Sequence, residues 1–233
     1  MKPADYVQRR AQIETYFDRT AVDAWARLTS DAPVGRIRAS VRAGRERMRG
    51  TLLSWLPPDL RGRRVLDAGC GTGALAVEAA RRGAEVVAID LSPTLVDLAR
   101  ERMPVIAGGG RIEFRSGDML DPALGAFDHV VGMDSLIHYE PADAVAVLAG
   151  LAQRTRHSLV FTFAPSSPAL QLMKAVGKLF PRGNRSPAIV PVAEQRLVRL
   201  IDRHPRLLAW DLGRSERVSG GFYTSQALEL VRP

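Results

Sequence analysis

The run Val65-Leu66-Asp67-Ala68-Gly69-Cys70-Gly71-Thr72-Gly73 decides how this chain is read. Arg64 to Ala68 is a short apolar strand. The three alternate glycines after it let the backbone turn sharply and approach a ligand closely. A helix then runs to Arg82 and offers unpaired N–H groups at its start. The second strand, Glu85 to Asp90, ends in a carboxylate about 20 residues on, placed to accept hydrogen bonds from ribose hydroxyls. Beyond Leu91, Ser92-Pro93 opens the next helix, with serine as N-cap and proline at the first helical position.

Working outward, Arg111 to Arg115, Phe127 to Met133 and His157 to Phe163 read as further strands, with a helix over Ala142 to Arg154. Strands alternating with helices over tight connections predict an α/β fold, a doubly wound, Rossmann-like, mostly parallel sheet. The end breaks the pattern. After a helix over Val192 to His204, Leu207 to Arg214 and Phe222 to Val231 read as strands joined by a loop ending in Gly220-Gly221. Without a crossover helix they must form an antiparallel hairpin. The first sixty residues read as helices: Tyr6 to Phe17, Val22 to Leu28, and Ile37 to Leu56, which Pro57-Pro58 stops. Within Ile37 to Leu56, Ile37, Val41, Met48, Leu52, Trp55 and Leu56 recur at helical spacing. Between the fifth strand and the last helix lies a proline-rich stretch whose Leu170 to Phe180 reads as an amphipathic helix. The expected organisation is a helical extension over residues 1–60 covering the site, a ligand-binding core over 61–165 and 192–233, and a lid insertion over 166–191.

Composition excludes several classes. The chain has 233 residues, 25.4 kDa, 46% hydrophobic and 25% charged, ordinary for a globular protein. It has no apolar run of about 18 residues and no apolar segment near its start, so neither a membrane span nor a secretory signal is expected, and a cytoplasmic location is. The single Cys70 excludes an internal disulfide and a cysteine zinc site. His129, His157 and His204 do not cluster by spacing, so no protein-held metal is expected. The formal charge is +8, and of 33 basic residues only Lys2, Lys174 and Lys178 are not arginine. Such charge permits an anionic partner. The arginines are spread out and no aromatic-rich stacking motif accompanies them, so nucleic acid is not the expected partner.

Two cofactors compete for the glycine loop. Gly69-x-Gly71-x-x-Ala74 also fits the dinucleotide fingerprint. Asp67, at the strand end just ahead of the glycines, would repel a diphosphate but could position an ammonium group, and S-adenosylmethionine carries an α-amino group and no phosphate. Gly117-Asp118-Met119 adds a carboxylate to reach an adenine amine and a thioether to pack on its ring. Cys70 reads as a small loop residue, since direct methyl displacement needs no thiol nucleophile.

This constellation resembles the class I S-adenosylmethionine-dependent methyltransferases over roughly Arg61 to Pro233. The resemblance implies that Gly69, Gly71 and Gly73 line the methionine moiety beside Asp67, that Asp90 with Leu91 meets the ribose, that Asp118 and Met119 frame the adenine, and that Met133 and Asp134 face the sulfonium. Tyr16-Phe17-Asp18-Arg19-Thr20 with Trp25, Ile37 to Arg45 (IRASVRAGR), Val65 to Leu75 and Met133 to Tyr139 (MDSLIHY) are similar to the magnesium-protoporphyrin O-methyltransferases of (bacterio)chlorophyll synthesis and photosynthesis, over nearly the whole chain. The acceptor this implies is a propionate of Mg-protoporphyrin IX, which brings its own magnesium. His138 and Tyr16 are the implied aligners of that carboxylate, His138 alternatively a base or a ligand of the porphyrin magnesium, and Arg42 the partner of the cofactor carboxylate. The porphyrin also leaves room for a magnesium chelatase partner and for peripheral membrane contact. A quinone or phenol acceptor, an RNA acceptor, and a non-catalytic subunit that hands on porphyrin are the rival readings.

Overall fold

The structure, a computed structural model, describes residues 4–16, 18, 35–166 and 189–233. Among the described residues two helices, α1 (Ala4–Thr15) and α2 (Arg36–Ser54), precede the sheet. The alternating part then runs β1 (Arg64–Ala68), α3 (Ala74–Arg81), β2 (Glu85–Asp90), α4 (Pro93–Glu101), β3 (Arg111–Ser116), β4 (Phe127–Gly132), α5 (Pro141–Ala152) and β5 (Thr155–Phe163). It closes with α6 (Glu194–Asp202), β6 (Asp211–Gly220) and β7 (Tyr223–Val231). The seven strands lie in the order β3-β2-β1-β4-β5-β7-β6. The first five are parallel, and β7 runs antiparallel to both β5 and β6. This is the expected sheet with its terminal hairpin.

Side chains alternate across the strands and build two cores. Leu66, Val87, Ile89, Phe161 and Leu230 face α5 and α6, whereas Val65, Val86, Ala88, Val131 and Val160 face α2, α3 and α4. Helix α2 belongs to the second core: Met48, Leu52, Leu53, Trp55 and Leu56 are buried there, while Ile37, at its start, is exposed. The Ser92 N-cap forms as expected, its hydroxyl accepting from Leu95 N at 3.2 Å.

The hairpin differs from its sequence reading. Residues 205–207 form a 3₁₀ turn capped by His204, and β6 starts at Asp211 and continues to Gly220, leaving a two-residue turn of Gly221-Phe222. β6 is a polar edge strand, exposed along nearly its whole length and carrying Arg214, Glu216 and Arg217. Edge strands are commonly charged in this way, which hides them from hydrophobic patterning. The ends of the 166–191 insertion meet: Pro165 and Val192 bridge in parallel, and Ser166 N donates to Val192 O at 2.9 Å. The helices expected over Val22 to Leu28 and Leu170 to Phe180 lie outside the described residues.

Leu66, fully buried at the centre of the sheet, sets a scale for the core. Leu66→Ala should cost about 2–5 kcal/mol, the range for a buried leucine that leaves a cavity. Urea unfolding followed by circular dichroism measures it.

Candidate active site

β1 and β4 are neighbours, but the chain leaves β1 for a helix on one face of the sheet and β4 for a helix on the other. Such a reversal opens a crevice at the carboxyl ends of the strands. A cavity of about 300 Å³ lies there, the lower end of the range for small-molecule sites. Asp67, Gly69 and Gly71 enter it from β1 and its loop, Asp90 and Leu91 from β2, and Gly117 and Met119 from β3. Met133, Asp134, Ser135, His138 and Tyr139 enter from the segment after β4. Ile13 of α1 and Arg42, Arg45, Glu46 and Arg49 of α2 complete the wall.

The loop geometry follows from the glycines. Gly69 has φ +88°, and a Cβ there would stand 2.4 Å from Ser135 Cβ, so the loop can rest against the β4 segment only with glycine. Gly71 has open space around its would-be Cβ on the cavity wall. Gly73 does not line the cavity. It caps α3 in the left-handed conformation, and a Cβ would meet the Phe114 ring at 2.7 Å. Its role is packing, a departure from the ligand-lining expectation.

Each aspartate sits in a different environment. Asp67 is 1% exposed, and its Oδ2 has no hydrogen-bond partner among the described residues. Burial, reinforced by the Asp90 charge, pushes its carboxyl up to about 7, against the Ala76 backbone N–H. A buried acceptor without a donor is rare unless a ligand completes it. An ammonium group fits it in charge and in hydrogen bonding. Asp90 is also pushed up by burial, but it accepts from Gly71 N at 2.8 Å through Oδ2 and from Ser92 N at 3.0 Å through Oδ1. Leu91 N–H also bears on this carboxylate, and the lone-pair capacity left over suits a ligand hydroxyl. The Cys70 thiol is pushed up by burial and by Asp67 and Asp90, which keeps it protonated.

Two expected residues are placed elsewhere. Asp118 does not line the cavity: its Oδ2 pairs with Arg10 of α1 at 2.9 Å and its Oδ1 accepts from Leu120 N. Gly117 and Met119 on either side of it do line the wall. Tyr16 is half-buried just past α1 and is not among the lining residues. The buried, cavity-lining aromatic is Tyr139, whose phenol is pushed up by burial and by Asp118. Arg45, Asp18 and Tyr223 carry no assigned role in the sequence reading. Arg45 pairs with Asp134 at 2.5 Å. Asp18 accepts from Ser92 Oγ and from Thr94 N and Oγ1 beside the cavity, which ties the N-terminal segment to the start of α4. His129 and His157 do meet, with ring centroids 5.6 Å apart, because β4 and β5 pair. No group of three metal-ligating side chains exists among the described residues.

Two protein families match the chain: a methyltransferase domain over residues 65–158, and the magnesium-protoporphyrin IX methyltransferase C-terminus over 132–232. The chain is 50% identical to the magnesium-protoporphyrin O-methyltransferase of Rhodobacter capsulatus over 97% of its own length and 98% of the relative's. It is 30% identical to that of Synechocystis over 94% and 95%. The crystal structure of magnesium protoporphyrin IX methyltransferase from Synechocystis with bound SAH superposes with a TM-score of 0.82 at 28% identity, covering 96% of this chain and all of that one.

The state of Asp67 generates a measurable linkage. With its folded value raised above the ordinary 3.8, Asp67 favours folding below about pH 4, and that contribution is lost as pH rises through about 7. An ammonium bound beside it favours the carboxylate, so S-adenosylhomocysteine binding at pH 7 should release protons, and less so at pH 9. Titration calorimetry in buffers of different ionisation enthalpy reads that release. Asp67→Asn should abolish it and flatten the stability decline between pH 4 and 7. A buffer-independent enthalpy at pH 7 with the native protein removes the ammonium assignment.

Proposed function

The chain belongs to the magnesium-protoporphyrin O-methyltransferase family, and on that premise we propose that it transfers a methyl group from S-adenosylmethionine to a propionate carboxylate of Mg-protoporphyrin IX, giving the monomethyl ester. The supporting observation is the set of guanidiniums on the cavity wall. Arg42, Arg45 and Arg49 enter the glycine-loop cavity from one side of α2, at the i, i+3 and i+7 positions that share a helix face. Arg45 is paired with Asp134 and Arg49 with Glu46, so what this row offers an acceptor that arrives as an anion is guanidinium N–H donors, not net positive charge.

S-adenosylmethionine, when bound, supplies an electrophilic methyl group on a sulfonium. The chain's own work is alignment. A propionate, like a glutamate side chain, titrates near about 4.3 and is ionised at neutral pH, so no strong general base is needed. The wall must hold one carboxylate oxygen in line and strip part of its water. His138 ends a 3₁₀ turn over Leu136–His138, is buried, and lines the cavity beyond Met133 and Asp134. It is the residue to orient the carboxylate. Met133 and Met119 give the cofactor an apolar wall, and Asp67 and Asp90 hold its ammonium and ribose. The propionate is the part of the substrate that must reach the reacting end of the cavity. Tyr16, away from the cavity lining, suits a contact with the porphyrin ring better than one with the reacting oxygen.

No helix among the described residues is long and apolar enough to cross a membrane. The apolar macrocycle favours peripheral membrane contact, with Phe222, 71% exposed at the hairpin tip, as one contact point. The chemistry that inserts magnesium makes a chelatase the natural donor of the substrate.

The test is turnover. The purified protein with S-adenosylmethionine and Mg-protoporphyrin IX should yield, by mass spectrometry, a porphyrin one methyl heavier, and kcat should stay flat from about pH 6 to 9 because the acceptor is already ionised. His138→Ala should lower kcat about ten- to hundredfold, the worth of one charge-assisted hydrogen bond, and leave the S-adenosylhomocysteine Kd within about threefold. No methylated porphyrin, with S-adenosylhomocysteine still bound, overturns the acceptor. Full activity of the variant returns His138 to packing.

A further inference from the structure

The family resemblance implies that Asp134 faces the sulfonium, but its surroundings assign it other work. It is the only non-glycine with positive φ among the described residues, at +54°, in a conformation that side chains other than Asn and Asp seldom adopt. Its carboxylate is saturated by the protein. Oδ2 accepts from Arg45 Nη1 at 2.5 Å and from the Tyr223 hydroxyl at 3.2 Å. Oδ1 accepts from Ser225 Oγ at 3.1 Å and Thr162 Oγ1 at 3.2 Å; the Tyr223 hydroxyl also stands 3.2 Å from Oδ1, but its one proton goes to one oxygen at a time. A carboxylate has about four lone-pair sites, so none is left for a cofactor or an acceptor proton. The side chain is 8% exposed.

These donors come from elements far apart in the chain. Arg45 lies on α2, Thr162 on β5, and Tyr223 and Ser225 on the terminal strand β7. An independent contact holds the same two elements together. A Cβ on Gly44, the residue before Arg45, would stand 2.4 Å from the Tyr223 ring, so α2 lies directly on that ring. Burial and the Asp134 charge push the Tyr223 phenol up, which keeps its hydroxyl a donor.

We propose that Asp134 is a positioning residue for methyl transfer: acting through Arg45 and Tyr223, its carboxylate fastens α2 to the terminal hairpin over the reacting end of the cavity, and it serves neither as a cofactor ligand nor as a base. Fastening α2 places its arginine row, and holding the left-handed turn at 134 fixes the segment that presents Ser135 and His138. This inference rests on the methyl-transfer reading for its consequence, but not for its geometry.

The experiment compares the native enzyme with Asp134→Asn, which keeps a residue at ease in the left-handed conformation, and Tyr223→Phe, which deletes one hydroxyl. Three readouts are taken: kcat for Mg-protoporphyrin IX across pH, the S-adenosylhomocysteine Kd by calorimetry, and amide hydrogen exchange of residues 36–54 by mass spectrometry. Both variants should lower kcat about tenfold, keep Kd within about threefold, leave the shape of the pH profile unchanged, and speed exchange in 36–54 about tenfold. Exchange that matches the native enzyme in both variants overturns the clasp. A Kd weakened beyond about tenfold makes Asp134 a cofactor ligand, and an acid limb below about pH 6 that the native enzyme shows and Asp134→Asn lacks makes it a base; either overturns the proposal. If Asp134→Asn fails to fold, Tyr223→Phe decides alone. If the native enzyme itself gives no methylated porphyrin, the acceptor reading falls, and the exchange data still decide the clasp.

Discussion

Parallel strands all end at one edge of the sheet, and where β1 and β4 lie side by side the chain departs from that edge in opposite directions. No helix of the alternating pattern can cover the gap, because each connection leads away from it. The gap must be walled by chain from outside the pattern. Here α1 and α2 come from the N-terminal side, contributing Ile13 and the arginines, and the terminal hairpin holds α2 in place through Tyr223. The position of the site, the need for an N-terminal extension, and the joining of the two chain ends over one cavity all follow from that single reversal.

The gap gathers negative charge, since strand ends carry Asp67, Asp90 and Asp134 into it. Burying three carboxylates is costly unless each is compensated. Asp90 is compensated by backbone N–H groups and Asp134 by side chains from three elements. Asp67 alone is left with an oxygen lacking a donor and a carboxyl that titrates near neutrality. An unsatisfied group of this kind weakens the free protein and strengthens its grip on a cationic ligand, because the ligand supplies what folding did not. The division of labour among three chemically identical groups is thus set by their donors.

The sequence made the sheet legible because its signals are local. A strand of five residues, a glycine turn and a serine-proline cap each lie within a few neighbours of one another, and β1, β2 and the Ser92 cap emerged as expected. The cavity lining was legible where it comes from strand ends and the turns just after them, as with Asp67, Asp90, Met133 and His138. It was illegible where side chains separated by tens of residues meet. Asp118 was assigned to adenine because nothing in its neighbourhood announces Arg10, more than a hundred residues away. Arg45 is one of 30 arginines until Asp134 selects it. Tyr16 was chosen on its place in an N-terminal block, and that block fixes chain position without fixing where a ring points. β6 was read over Leu207 to Arg214 where it runs over Asp211–Gly220, for a different reason: an exposed edge strand has no apolar alternation to fix its bounds.

Acceptor specificity is therefore expected to lie outside the portion that resembles methyltransferases in general. On the proposed reading, the glycine loop and the β2 carboxylate would hold groups common to every use of the cofactor, and they cannot tell a carboxylate from a phenol. What distinguishes this cavity is the face of α2, which brings cations to the reacting end and whose seat depends on Gly44 lying against Tyr223 and on Asp134 holding Arg45. An anionic acceptor approaching a wall that already contains Asp134 would be repelled if that charge stood alone. Paired with Arg45, it becomes a fixed dipole, as Glu46 does with Arg49, and the wall meets the acceptor with guanidinium N–H donors rather than with a bare carboxylate. The same ion pair that holds the wall in place thereby makes the wall acceptable to a carboxylate.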